Sequence, residues 1–73
     1  MNQQYLEDMP YKAPRRFEII RLKSIGYTNQ EIAEKLSISP TTVRTRLHTA
    51  QEIYGAKTST HLVAMLLRTG ILK

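Results

Sequence analysis

Hydrogen-bonding side chains share one side of a predicted helix between residues 40 and 54. They are Thr41, Arg44, Thr45 and His48. With a rotation of about 100° per residue, they lie opposite an apolar stripe with the spacing i, i+4, i+7 and i+11. The stripe consists of Val43, Leu47, Ala50 and Tyr54. A helix held by this stripe would present its hydrogen-bonding side outward, where the chemistry suits the base edges in the major groove of duplex DNA.

Each outward side chain matches a particular base chemistry. Arg44 could form a bidentate contact with O6 and N7 of guanine. Thr45 could offer its methyl group to thymine or its hydroxyl to a base, and His48 could donate to a purine acceptor. Thr41 lies on the same side and completes the set of predicted base-contacting residues.

Polar residues around this side are predicted to contact phosphates. Thr42 and Arg46 lie on one flank of the same helix, and the preceding helix starts at Thr28, Asn29 and Gln30. A helix start directs free backbone N–H groups at an anion. The alternative is an ordinary solvated surface. Threonine at positions 41, 42, 45 and 49 favours DNA contact, because threonine is a mediocre helix former whose short side chain permits close approach.

Local signals predict an all-α fold with a helix-turn-helix at its centre. The four predicted helices span about 15–25, 28–36, 40–54 and 59–69. Thr28 and Glu31 match the capping-box pattern at the second helix. Ser39 and Pro40 suit the start of the third helix, and Gly55 suits its end. Two capped helices joined by so short a turn are typical of a helix-turn-helix.

Length and charge restrict the possible function classes. The 73 residues contain 11 Lys and Arg against 6 Asp and Glu, and the resulting net charge of +5 favours a polyanionic partner, nucleic acid first. One small domain is expected at 14–73, behind a loose, flexible N-terminal arm at 1–13. No stretch approaches the ~18 apolar residues of a membrane span, and the N-terminus lacks signal-peptide features. We therefore expect a cytoplasmic protein without membrane contact.

Catalytic and cofactor-binding patterns are missing from the sequence. There is no cysteine, and the two histidines, His48 and His61, are far apart in the chain. We find no activated nucleophile, paired carboxylates or Gly-rich phosphate loop. The chain is therefore expected to be no enzyme and to use no metal and no cofactor.

Residues 26–47 resemble the LuxR/GerE-type helix-turn-helix. The pattern Asn-x-Glu-Ile-Ala is present at 29–33, and Ile-Ser-x-x-Thr-Val-(Lys/Arg) is present at 38–44. The resemblance extends from about Pro14 to Leu72. It implies a four-helix domain that binds DNA through its third helix and forms homodimers through its fourth. It also implies base contacts by Arg44, Thr45 and His48 and phosphate contacts at or beside Thr28, Ser39, Thr42 and Arg46.

The chain departs from the family pattern at three places. Residues 12–16 read Lys-Ala-Pro-Arg-Arg where the family has Leu-Thr-x-Arg-Glu. Residues 45–46 read Thr-Arg in place of the common Asn-His pair, so the base preference cannot be copied. Tyr54 replaces the usual leucine but keeps the apolar stripe. Because the length leaves no room for a receiver or ligand-binding domain, we expect a stand-alone regulator of bacterial or phage type.

The predicted fourth helix has a wider apolar arc than one small core requires. The arc spans about 200° of the helical wheel, whereas a stripe of about 100° suffices to cover a core. It contains Leu62, Val63, Met65, Leu66 and Leu67. We expect a homodimer, with its interface at Leu62, Met65, Leu66 and Thr69. In the alternative, residues 1–14 cover this arc. A two-fold dimer would place its third helices about 34 Å apart and bind an inverted repeat.

Three functions are compatible with this pattern. The predicted function is a sequence-specific transcriptional regulator that binds double-stranded DNA. The alternative is a protein-binding antagonist or adaptor that pairs through the fourth helix with a larger LuxR-type regulator. A third option is a fragment like sigma-factor region four, which would bind RNA polymerase, although no polymerase-binding surface is identifiable. The polar outer side of the third helix favours the first function, because a pure antagonist has no need of it.

Overall fold

Residues 14–72 are described by the structure, a computed structural model, and form four α-helices with no strand among them. The helices are α1 (Pro14–Ser24), α2 (Asn29–Leu36), α3 (Pro40–Tyr54) and α4 (Ser59–Arg68). The predicted all-α fold is confirmed. Within this part of the chain, no helix combines the length and apolar character that crossing a membrane requires. The predicted N-terminal arm, residues 1–13, lies outside the described residues.

Four helix ends differ by about one residue from the predicted bounds. α1 begins at Pro14 and ends at Ser24, because the chain turns at Gly26 with a φ of 104°. α2 begins after Thr28, which is its N-cap and not a helical residue. α4 ends before Thr69, which is its C-cap. The third helix spans 40–54, as the sequence predicts.

Hydroxyl side chains fix the starts of α2, α3 and α4. Thr28 Oγ1 accepts a hydrogen bond from the Glu31 backbone N–H over 3.1 Å, and the Thr28 N–H donates to Glu31 Oε1 over 2.8 Å. This reciprocal pair is the capping box that the sequence predicts. Ser39 and Thr58 each accept from the backbone N–H of the third residue of the helix that follows, over 3.0 Å in both cases. Each cap satisfies a backbone donor that a helix start leaves without an intrahelical partner.

The capping box also lowers the pKa of the Glu31 carboxyl. Hydrogen bonds from the Thr28 backbone N–H, and then from its hydroxyl, lower the pKa of the Glu31 carboxyl below its ordinary value of 4.5. A carboxyl with a lowered pKa in the folded chain stabilises the fold above its unfolded-state pKa. This contribution is therefore complete above about pH 4.5 and is lost as the pH falls through the folded-state pKa.

The hydrophobic core is centred on α1 and α3. Each of these two helices packs against all three others, whereas α2 and α4 do not contact each other within the described residues. The buried core residues are Phe17, Ile19, Ile20, Leu22, Ile32, Ala33, Val43, Leu47, Ala50, Tyr54, Leu62, Leu66 and Leu72. Because α1 has neighbours on several sides, its apolar arc is broad. At the end of α3, the Tyr54 ring meets the Phe17 ring edge to face, with centroids 6.4 Å apart.

The turn between α2 and α3 is closed by backbone geometry. Ser37, the C-cap of α2, has left-handed backbone angles of φ 56° and ψ 45°. The Ile38 N–H then donates to the Ala33 carbonyl oxygen over 3.0 Å, which reverses the chain within three residues. This turn fixes the direction of α3 relative to α2.

Thr28→Ala is expected to lower the free energy of unfolding by about 1 kcal/mol, since it removes the hydroxyl that caps α2. Chemical denaturation followed by circular dichroism measures the change. Part of it should disappear as the pH falls from 4.5 through the lowered pKa of Glu31 in the folded chain. Thr60→Ala is the matched control, because Thr60 is exposed in the first turn of α4 and is not its N-cap. Equal destabilisation by both variants would contradict the role of the capping box.

Candidate nucleic-acid interface

The apolar stripe determines which side of α3 faces outward. All four predicted stripe residues, Val43, Leu47, Ala50 and Tyr54, are buried in the core. The opposite side carries the predicted base-contacting residues, all of them exposed: Thr41, Arg44, Thr45 and His48. The structure therefore brings these four side chains onto one continuous exposed surface, which we call the outer side of α3.

The predicted phosphate-contacting residues lie at the starts of α2 and α3 and on one flank of α3. Thr28, Gln30, Ser39 and Arg46 are exposed, and Asn29 and Thr42 are half-buried. The Asn29 side chain also connects two helices, since its Oδ1 accepts from Lys23 Nζ over 2.9 Å. That bond uses the amide oxygen and leaves the amide NH₂ group as a donor for a phosphate.

A pair of hydroxyls marks the start of α3. Ser39 Oγ and Thr42 Oγ1 are 2.9 Å apart, and Ser39 Oγ also accepts the Thr42 backbone N–H over 3.0 Å. One of the two hydroxyls donates to the other, so one hydroxyl hydrogen of the pair is left for an acceptor outside the chain. An anionic oxygen at the start of a helix is such an acceptor.

Glu52 belongs to the outer side of α3, although it is not among the predicted site residues. Its Oε1 lies 2.9 Å from Nδ1 of His48, and the two side chains are 70% and 68% exposed. The spacing of four residues along one helix is a signal by which the sequence could have revealed this pair. A carboxylate here opposes the approach of a phosphate backbone and occupies one nitrogen of a predicted base-contacting histidine.

The predicted dimer interface on α4 requires a correction. Leu62 is 0% exposed and Leu66 is 1% exposed, because both pack into the core of their own chain. They have no surface left for a second copy. Of the other two predicted residues, Met65 is half-buried against the core and Thr69 is exposed. The exposed apolar surface of α4 instead contains Leu67, which is 49% exposed.

Residues 14–72 offer no metal site of the usual kind. No group of three or more His, Asp or Glu side chains lies close enough together there to hold a metal ion. The polar groups on the outer side of α3 are guanidinium, hydroxyl, imidazole and carboxylate groups.

A short turn between two helices, the second of which has an exposed polar side, defines a DNA-binding helix-turn-helix domain. A family model for bacterial regulatory proteins of the luxR family matches residues 13–66. The chain belongs to this family of bacterial regulatory proteins, as the motifs at 29–33 and 38–44 indicate.

A curated relative supports this assignment. The uncharacterized transcriptional regulatory protein YxjL of Bacillus subtilis (strain 168) is 34% identical over 59 residues. The matched region covers 81% of this chain and 27% of YxjL, so the chain spans about a quarter of the length of that relative. No solved structure matches the chain significantly.

Glu52→Gln is expected to tighten binding to a duplex of arbitrary sequence about threefold, because it removes a negative charge that would face the phosphates of a duplex on the outer side of α3. Fluorescence anisotropy with a labelled duplex measures the affinity. Glu18→Gln is the matched control, since it removes the same charge from an exposed position on α1. The assignment of Glu52 to the interface is wrong if both variants change the affinity equally.

Proposed function

We propose that the chain is a sequence-specific transcriptional regulator that binds double-stranded DNA as a homodimer at an inverted repeat. One observation carries the proposal: Arg44, Thr45 and His48 face outward on α3 while its apolar stripe is buried. The major groove is about 12 Å wide and accommodates one α-helix, so α3 is the element that would enter it. Membership of the luxR family supports DNA binding and transcription regulation.

Base contacts would come from the outer side of α3. Arg44 would donate to O6 and N7 of guanine, and Thr41 and Thr45 would contact thymine methyl groups or base acceptors. The pairing of His48 Nδ1 with Glu52 refines the predicted role of the histidine. If Nδ1 carries the proton of a neutral imidazole, Nε2 is an acceptor and matches the amino groups of adenine or cytosine. A protonated imidazole would instead donate to a purine acceptor.

Phosphate contacts would hold α3 in register without contributing sequence information. The proposed residues are Thr28, Asn29, Gln30, Ser39, Thr42 and Arg46, as the sequence predicts. Their donors are free hydroxyl and amide hydrogens, backbone N–H groups at two helix starts, and one guanidinium. Contacts of this kind position a protein on the duplex, and they weaken as salt rises because bound counterions are released.

The proposed homodimer uses the exposed part of α4. Leu67 is exposed, and Val63 and Ala64, which lie on the same side of the helix, are partly exposed. Pairing these surfaces by a two-fold axis would remove apolar area from water on both copies. Such a dimer would place the two copies of α3 about one DNA turn apart, at a spacing of ~34 Å.

The second candidate is an antagonist or adaptor that pairs through the same part of α4 with a larger LuxR-type regulator. The exposed Leu67 is compatible with either partner. The guanidinium and hydroxyl groups on α3 favour the DNA-binding function, since pairing between proteins leaves them unused. Retention of such a regulator, with no duplex retained by the isolated chain, would support the second candidate.

Arg44→Ala is expected to change the sequence specificity of DNA binding, whereas Arg46→Ala is expected to change its affinity. Sites selected from random DNA by the wild-type chain provide the reference duplex. Arg44→Ala should relax specificity at one base pair, because it removes a base contact worth about 1–3 kcal/mol. Arg46→Ala should weaken binding to all sequences and reduce the salt dependence by about one counterion. Unchanged affinity of both variants for the selected site would contradict these roles.

Leu67→Lys is expected to abolish dimer formation, since it places a charge in the proposed apolar interface on α4. Analytical ultracentrifugation measures the mass, and affinity for the full inverted repeat should fall toward that for a single half-site. Ile25→Lys is the matched control, because Ile25 is also exposed and the same charge is added elsewhere. A dimer that survives Leu67→Lys would exclude this interface.

A further inference from the structure

A groove of about 310 Å³ lies between the start of α1 and one flank of α3. Its lining residues are Arg16, Thr41, Thr42, Thr45, Arg46 and Thr49. Every one of these side chains carries a hydrogen-bond donor, and none is acidic. Two guanidinium groups that share a groove with four hydroxyls match the chemistry of a phosphate, which arginine binds through two parallel N–H···O bonds.

Arg16 comes from a different helix than the other five lining residues. It is the third residue of α1 and is half-buried, with its Nε buried, so its side chain forms part of the groove wall. A guanidinium carries five N–H donors, and it can contact its own chain and an anion at the same time.

We propose that Arg16 and Arg46 together bind one backbone phosphate of the duplex in this groove. The proposal rests on the proposed function, because it requires α3 to lie in the major groove. Thr41 and Thr45 belong both to the outer side of α3 and to the groove lining. A duplex contacted by these two threonines therefore has a backbone strand beside the groove.

The two arginines would fix the rotation of α3 relative to the duplex. One guanidinium comes from α1 and the other from α3, so a phosphate bound by both is held from two directions. A contact of this kind sets the register in which the outer side of α3 meets the bases, and it contributes no base preference of its own. The groove thus connects α1, which is otherwise a core helix, to DNA binding.

Replacing single phosphates of the duplex with neutral groups tests the proposal directly, with all 73 residues of the chain present. Single methylphosphonate groups, which remove one phosphate charge each, are scanned through the selected duplex, and affinities are measured by anisotropy. With the wild-type chain, one position beside the groove should weaken binding about fivefold. With Arg16→Ala, the same substitution should cause a markedly smaller loss, because one of the two guanidinium partners of that phosphate is already absent.

Arg15→Ala is the matched control, since Arg15 is an exposed neighbour with the same charge. It should keep the full methylphosphonate effect. Arg16→Lys keeps the charge without the bidentate geometry, and it should recover the salt dependence but only part of the affinity. Circular dichroism checks that each variant is folded, and the scan with the wild-type chain does not depend on any variant.

Two results of the duplex measurements would overturn the proposal. If Arg15→Ala and Arg16→Ala weaken binding equally and every methylphosphonate loss persists in Arg16→Ala, the groove does not bind a phosphate, although DNA binding stands. If the wild-type chain retains no duplex at all, the proposed function fails and the phosphate contact fails with it.

Inorganic phosphate distinguishes a duplex phosphate from a free ion. Titrated into the chain without DNA, it should shift the nuclear magnetic resonance signals of Arg16 and Thr45 only at tens of millimolar, because a single ion lacks the rest of the duplex contacts. Saturation at micromolar phosphate would overturn the assignment of the groove to a DNA backbone.

Discussion

The burial of one apolar stripe on α3 determines the orientation of every α3 side chain assigned to the interface. Val43, Leu47 and Ala50 pack into a core to which all four helices contribute. Burying a side chain the size of Val43 or Leu47 stabilises a fold by about 1.5–3 kcal/mol. Rotating α3 by half a turn would expose the stripe and bury charged groups such as Arg44, whose desolvation is costly. The core therefore keeps the outer side of α3 facing away from the protein, whether or not a duplex is present.

Much of this arrangement follows from local signals in the sequence. Two helix starts and one helix end depend only on residues close together in the chain. Thr28 and Ser39 satisfy backbone N–H groups at the starts of α2 and α3, and Gly55 ends α3. Tertiary contacts are therefore not needed to locate them. The stripe on α3 is also local, because its period alone separates a buried side from an exposed one. These are the features for which sequence and structure agree best.

Features that depend on tertiary packing could not be predicted from the sequence. The wide apolar arc on α4 indicates more apolar surface than one core requires. Only the position of the core shows which part of the arc is buried, as at Leu62, and which part is exposed, as at Leu67. The groove beside α3 could not be predicted from the sequence either, because Arg16 and Arg46 line one groove only after α1 and α3 pack together. The pairing of His48 with Glu52 is different, since both residues lie on one helix at a spacing that the sequence displays.

The geometry gives each helix a separate task in the proposed function. α3 would contact bases, the start of α2 would contact phosphates, and the exposed part of α4 would pair two copies. α1 packs against the other three helices and would contribute Arg16 to the phosphate groove. Intermolecular nuclear Overhauser effects between the labelled chain and its selected duplex test the central claim most directly. The account predicts contacts from Arg44 and Thr45 to base protons of the major groove. Contacts confined to another surface of a folded chain, with the outer side of α3 unaffected by the duplex, would contradict it.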